Sequence, residues 1–387
     1  MKRIILLFAL LLPTYLYAGS VTLIEKTRPL LNGVQVFVLD PVYEKDPGRF
    51  FDEVKKQGGN TVFFRVFQNS SDRHHFLKDS ECETGVYFRT EEACVADDLL
   101  AVMTEEAHKR GIRLYAWMAT RTLSFLKTPL LMEKTFADGQ GTGEGYGASI
   151  FMSAVRRKLV RLFEDLAAYD IDGILFQDDF IMRHREGASL SALHAYYMDT
   201  GVMLTSGDLF GCLERENRTK VSGGCNETYI PWAYWKAQKM ADFFGELRQA
   251  VLVRNPSVRF AANIYYETPV DAMKGISWYS QSVDMLLDAG FDYLAVMSYH
   301  DQMAREMKLD YDGTKEYVNG MLESLVVNVD DKERILMKLQ RVSWADKSGV
   351  DRGELEGICR LIDSYGSISK AIVPVNKASE IFGGCFR

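Results

Sequence analysis

The stretch Asp172-Gly173-Ile174-Leu175-Phe176-Gln177-Asp178-Asp179 passes from a glycine through three apolar residues into two adjacent acids. It reads as a short strand covered on both faces that stops where a polar loop begins. Residues 153–169, just before it, carry helical periodicity. Helix followed by a fully buried strand is the unit of an α/β protein with a parallel sheet.

Working outward, the same alternation recurs along the chain. Eight β-branched and aromatic runs read as strands, at 33–39, 60–67, 113–119, 173–177, 259–264, 293–298, 334–340 and 370–373. Helical candidates lie at 50–57, 97–110, 153–169, 232–253, 278–289, 315–328 and 352–365, with Gly58, Gly111, Gly290 and Gly366 placed as C-terminal stops. Eight strands with interleaved helices predict a (β/α)8 barrel of the TIM type. The alternative, an open doubly wound sheet, calls for a G-x-G-x-x-G opening the first helix, and the chain has none there. Two stretches lie outside this pattern, 68–96 and 206–229, and both follow strands, on the side where barrels build their sites. The glycine-rich run 138–147 lacks the Lys-Ser/Thr ending of a phosphate cradle and reads as a mobile lid or spacer.

The first residues, Met1-Lys2-Arg3 followed by an apolar run from Ile4 to Leu12 and a small-residue site at Ala18, have the form of a secretory signal, expected to occupy residues 1–18. The remainder, 19–387, is expected to form a single barrel domain. No later segment offers the ~18 or more uninterrupted apolar residues of a transmembrane helix. The destination is thus periplasmic or extracellular. The formal charge is −7; two of the 46 basic residues leave with the signal, so 44 face 53 acidic ones and the balance becomes −9. That disfavours nucleic acid and anionic lipid as partners and suits a cationic ligand such as an amino sugar. An oxidising destination also favours disulfides. Of the fifteen possible pairings of six cysteines, nearest-neighbour connectivity is the expectation: Cys82 with Cys94, Cys212 with Cys225, Cys359 with Cys385. No spacing matches a zinc site, and neither metal nor cofactor is expected.

In a barrel, chemistry sits at the C-terminal ends of the strands. Reading off those ends collects Asp40 and Tyr43, Arg65 and Asn69, Trp117 and Arg121, then Asp178 and Asp179. Beyond them come Asn263, Tyr265, Tyr266 and Glu267, then Tyr299, His300 and Asp301, and finally Gln340 and Trp344. Carboxylates among Trp and Tyr rings fit sugar recognition and glycosidic cleavage, because one face of a pyranose is apolar. Asp178 and Asp179 are the catalytic candidates. Successive residues of an extended chain point to opposite faces, so one acid is expected in the barrel mouth and one held by the loop. Acids this close also disfavour joint ionisation, which would leave one protonated as a general acid. The expected substrate-binding set is Asp40, Tyr43, Trp117, Asn263, Tyr265, Glu267, Tyr299, Gln340 and Trp344. His300 and the pair His74-His75 are weaker candidates.

Tyr115-Ala116-Trp117-Met118, Glu164-Asp165-Leu166-Ala167 leading into the Asp172–Asp179 stretch, Asn263-Ile264-Tyr265, and Leu339-Gln340 with Trp344 occur in the order found in one known family. The chain resembles, over about residues 30–375, the C-terminal glycoside hydrolase domains of PgaB-type poly-β-1,6-N-acetylglucosamine deacetylases. The resemblance implies a (β/α)8 barrel that cleaves partially deacetylated poly-β-1,6-N-acetylglucosamine within the chain; a monomer, with biofilm-export proteins as partners, is the accompanying expectation. It aligns Asp178 and Asp179 with the family's Asp-Asp, Asp40 with an acid at the first strand, and Asn263, Tyr299 and Gln340 with polar positions on later strands. Departures are Gln177, where the family has His before the acid pair, and non-acidic residues at Asn69 and Val375-Asn376. The deacetylase domain of those proteins has no counterpart in the sequence. Consecutive carboxyls are closer than the ~5 Å of two-carboxylate glycosidases, which favours a substrate-assisted route. Asp178 would orient the 2-acetamido group and Asp179 would protonate the leaving oxygen; the alternatives are the reverse assignment and a distant nucleophile or base at Asp40, Glu267 or Asp301. The rivals are a non-catalytic glycan-binding protein of the export route and a hydrolase of another cationic polymer such as galactosaminan.

Overall fold

The computed structural model describes residues 28–386, apart from 44, 71, 73, 76–80, 138–140, 214–224, 378–379 and 381–382. The signal reading at 1–18 lies outside the described residues. Eight parallel strands close into a barrel in chain order: β1 Asn32–Val36, β2 Thr61–Arg65, β3 Arg113–Met118, β4 Gly173–Phe176, β5 Arg259–Ile264, β6 Tyr293–Val296, β7 Ile335–Gln340 and β8 Ser369–Val375. Each matches one of the eight apolar runs, because strands wrapped by helices are buried on both faces. Closure is made by β1 against β8, where the register shifts between Val34 and Val36. No helix among the described residues is long and apolar enough to cross a membrane.

The helices around the barrel are α1 Pro47–Lys56, α2 Leu99–His108, α3 Ser153–Leu166, α4 Leu190–Thr200, α5 Ser206–Gly211, α6 Tyr229–Arg254, α7 Val283–Ala289, α8 His300–Met307, α9 Tyr311–Asn328 and α10 Arg352–Ser364. Local chemistry sets their ends. Asp46 caps α1 by accepting from the Arg49 amide, with Pro47 at its first turn, and Gly290 ends α7 at a φ of 101° that a side chain would strain. The expected helix at 278–289 is shorter than its periodicity suggested, since Gly275–Tyr279 forms a wider π-type turn before α7.

The core fills from both sides of the barrel wall. Phe176 faces outward at the end of β4 and meets Phe163 of α3 at 5.1 Å and Phe244 of α6 at 5.3 Å between ring centres. Inside, Tyr115 approaches Gly173 so closely that a Cβ there would lie 2.2 Å from its ring. The glycine that opens the Asp172–Asp179 stretch is therefore the hole into which Tyr115 fits.

The three expected disulfides are present, with Cα separations of 5.9 Å for Cys82–Cys94, 5.4 Å for Cys212–Cys225 and 5.3 Å for Cys359–Cys385. One expectation needs correction: of the glycine-rich run 138–147 read as a lid or spacer, residues 138–140 lie outside the described residues and 142–147 belong to the strand Thr142–Ala148, paired with Met132–Phe136. Its glycines serve close packing. A Cβ at Gly145 would stand 2.7 Å from the Glu133 carbonyl and one at Gly147 2.7 Å from the Arg121 side chain.

Candidate active site

Side chains alternate between the barrel interior and the helices, so every second residue of a strand reaches the mouth. Gln35 and Phe37 come from β1 and its extension, Trp117 from β3, Gln177 from just past β4, Asn263 from β5 with Tyr265 just past it, Met297 and Tyr299 from the segment after β6, and Lys338 from β7. With Asp178, Asp72, Trp344 and Lys347 from the following loops, they line a cavity of about 650 Å3 at the strand C-termini. A larger cavity of about 900 Å3 lies beneath the hairpin and α4, but none of the described residues lining it is a carboxylate.

Strand pairing of β4 stops at Phe176, and a turn follows in which the Phe180 amide donates to the Gln177 carbonyl. The two acids separate there. Asp178 is half-buried and lines the cavity. Asp179 is fully buried and turned toward the loop after β3, where its carboxylate accepts from the amides of Thr120 and Thr122, both at 2.8 Å, and from both hydroxyls. Burial pushes its pKa up, and those donors pull against the rise. The two side chains thus take the expected positions, one acid in the mouth and one held by the loop. A carboxylate enclosed by its own donors cannot reach a glycosidic oxygen.

The loop that Asp179 holds is anchored again by the residue between the two threonines. Arg121 is buried and pairs with Glu186 at 2.7 Å, donating also to the carbonyls of Ala148 and Ile181. Its strand-end position suggested the site; its partners make it a brace between β3 and the hairpin.

An aromatic wall surrounds Asp178. Phe37 packs 4.6 Å from Trp117 and lies nearly parallel to Trp344 at 6.1 Å, while Tyr299 meets Trp344 edge-on at 5.5 Å. On the opposite side Tyr265 stacks on Tyr279 at 4.0 Å. Burial, with the charge of Asp178 next, holds the Tyr265 hydroxyl far above its ordinary value, so it stays a hydrogen-bond donor. The floor carries polar groups without partners among the described residues: both ends of the Gln35 amide and the indole N–H of Trp117. These atoms are themselves buried, so they lie under the cavity surface as unsatisfied polar groups of the barrel interior.

Trp117, Asn263, Tyr265, Tyr299, Trp344 and Asp178 are thus brought together, and five other candidates lie elsewhere. Asp179 is enclosed as described. Asp40 accepts from the Val42 amide and pairs with Lys377 at 3.1 Å, which hold its carboxyl below the usual range. Tyr43 is buried against Phe50, Glu267 is bound by Lys274 and the Tyr279 hydroxyl, and Gln340 spans Val342 and the Gln302 amide as a brace. The weaker candidates also have structural tasks or none visible. The two ring nitrogens of His75 bond the Leu39 amide and the Arg65 carbonyl, and burial lowers its pKa to about 4. His300 is buried with both ring nitrogens unpartnered among the described residues.

Gln35, Phe37, Asp72, Met297, Gln302, Lys338 and Lys347 were missed. The signal was there for two of them: Gln35 and Lys338 interrupt the apolar runs Val34-Gln35-Val36 and Met337-Lys338-Leu339 on inward phases.

Comparison with known proteins agrees with this geometry. The chain is 30% identical over 262 residues to the poly-β-1,6-N-acetyl-D-glucosamine N-deacetylase of Escherichia coli K12, and to that of Escherichia coli O157:H7. The match covers 64% of this chain but 35% of the relative, so the chain spans about a third of the curated proteins it matches. Among solved structures it resembles the PgaB (BpsB) glycoside hydrolase domain from Bordetella bronchiseptica, with TM-score 0.70, 22% identity, and coverage of 90% and 95% of the two chains. It shares the fold of the β-amylase catalytic domain from Paenibacillus polymyxa, at TM-score 0.55 and 11% identity over 92% and 95%. The model of a family described as hypothetical glycosyl hydrolase family 13 matches residues 37–372. With its closed parallel barrel and its cavity at the strand C-termini, the chain belongs to that glycosyl hydrolase family.

Proposed function

We propose that the protein hydrolyses an amino-sugar polysaccharide, most specifically partially deacetylated poly-β-1,6-N-acetylglucosamine, at internal linkages. The observation that carries this reading is the carboxylate of Asp178 in an aromatic-walled cavity at the strand C-termini, with Gln35 and Trp117 among the lining residues. Rings stack on the apolar face of a pyranose, and the half-buried Asp178 can meet its polar substituents. Likeness to a glycoside hydrolase domain and to deacetylases of that polymer supports both the reaction and the substrate.

Asp178 is the catalytic residue in this reading. Its carboxylate orients the 2-acetamido group and offsets the positive charge that develops at the anomeric carbon as the bond to the leaving oxygen breaks. Water supplies the hydroxyl to that carbon and a proton to the leaving oxygen. Asp179 acts as a positioning residue through Thr120 and Thr122. Secretion to the periplasm or beyond, action as a monomer and contact with export proteins complete the proposal, the first supported by the three disulfides.

The test is a panel of partially deacetylated poly-β-1,6-N-acetylglucosamine, its fully acetylated form and α-1,4-galactosaminan, with products read by mass spectrometry. Oligosaccharides from the first polymer are the expected result. Binding of that polymer with no product from any member would replace hydrolysis by glycan holding, and products from galactosaminan alone would replace the substrate.

A further inference from the structure

Lys338 stands in the middle of β7, in a strand whose six residues are all buried. Its side chain enters the barrel, is 2% exposed, and lines the same cavity as Asp178. The ammonium donates to Asn263 Oδ1 at 2.8 Å, across the interior from β7 to β5. No carboxylate of the described residues lies within ion-pairing distance of it.

Two other buried lysines show what an ordinary structural role looks like here. Lys370 is paired with Asp363, and Lys236 donates to the carbonyls of Arg183 and Glu186 at 2.9 and 3.0 Å. Both are spent on the scaffold. Lys338 has one neutral acceptor and faces an open cavity, so its charge is compensated through space. Burial pulls its pKa down to about 7, and Asp178 is the charged group that opposes the fall. Among the described residues, the other charged or titratable groups around the cavity are Asp72, held by Arg65; Lys347 and Arg183, both exposed to solvent; and Tyr146, Tyr265, Tyr266, Tyr279 and Tyr299. Water screens the exposed cations, whereas Lys338 acts from a low-dielectric floor.

We propose that Lys338 is a positioning residue for the reaction: its ammonium, fixed by Asn263 beneath the cavity, keeps the Asp178 carboxyl ionised. This rests on the reading of Asp178 as the catalytic carboxylate. It also explains why a strand that could be wholly apolar carries a charge, since an orienting carboxylate must stay negative while a sugar displaces its water.

Two readouts test it. The Asp178 carboxyl is titrated by carbon-detected NMR, assigned by its disappearance in Asp178→Asn, and the pH dependence of kcat/KM is measured alongside. In Lys338→Met the Asp178 midpoint should rise by about one pH unit or more, and the acidic limb of kcat/KM should rise with it. Lys338→Arg, which keeps the charge, should stay near the wild-type midpoint. Should Lys338→Met fail to fold by circular dichroism, Lys338→Gln serves in its place. An unmoved midpoint in the folded neutral variant overturns the proposal. If the midpoint moves although the wild type cleaves nothing, Lys338 stands and the hydrolase reading falls. If the wild type cleaves and the midpoint stays put, Lys338 alone falls.

Discussion

Asp179 accepts hydrogen bonds from both the amide and the hydroxyl of Thr122, each at 2.8 Å, while its neighbour Asp178 opens into the cavity. One turn after β4 thus ties the loop of β3 in place and presents a carboxylate beside it. Removing the buried acceptor leaves two amides and two hydroxyls without it. Asp179→Ala should cost about 3 kcal/mol or more, read as a lowered urea midpoint. Activity should fall with kcat, since the loop that Asp179 holds adjoins Trp117. A variant with wild-type stability would show that the enclosed carboxylate is not an anchor.

Trp344 makes its contacts with Tyr299 and Phe37 at the rim, where a stacked sugar would lie. Trp344→Ala should raise KM roughly tenfold and leave kcat within a few-fold, because stacking holds substrate and transition state alike. A large loss in kcat with unchanged KM would move Trp344 from binding to chemistry.

Phe176 is fully buried among the rings of Phe163, Phe180, Phe244 and Phe291, which joins β4 to α3 and α6. Phe176→Ala should cost about 3–5 kcal/mol through the cavity it leaves. Thermal and urea denaturation would read the loss, and a cost below ~1 kcal/mol would contradict the packing described.

Stability should depend on pH through His75. Its pKa is about 4 in the folded chain against 6.5 for the free side chain, so between those values the unfolded state binds more protons. Stability therefore falls as pH drops from 6.5 toward 4, by on the order of 3 kcal/mol from this group. Urea midpoints across that window should show the decline, with a shallower slope in His75→Gln. Equal slopes in both proteins would remove His75 from the account.

The barrel was legible in the sequence because strands covered on both faces read as apolar runs, and Arg259–Ile264 even keeps its predicted ends. The hairpin strand Thr142–Ala148 was not, since its glycines look like a flexible loop until Glu133 and Arg121 are seen pressing against them. Within the site, strand ends located Asp178, Trp117, Asn263, Tyr265, Tyr299 and Trp344, as the barrel geometry requires. The same rule also collected Asp40, Tyr43 and Gln340, because capping, packing and bracing use the same residue types at strand ends. Lys338 escaped it by standing inside a strand, where only the inward phase of β7 reveals that its charge reaches the mouth.

The most direct test of the central claim is cleavage of partially deacetylated poly-β-1,6-N-acetylglucosamine in 18O-water, comparing the wild type with Asp178→Asn of verified fold. The account predicts one 18O at each new reducing end from the wild type, and a rate lower by roughly a hundredfold or more from the variant. Equal product from the two proteins, or none from the wild type, would contradict it.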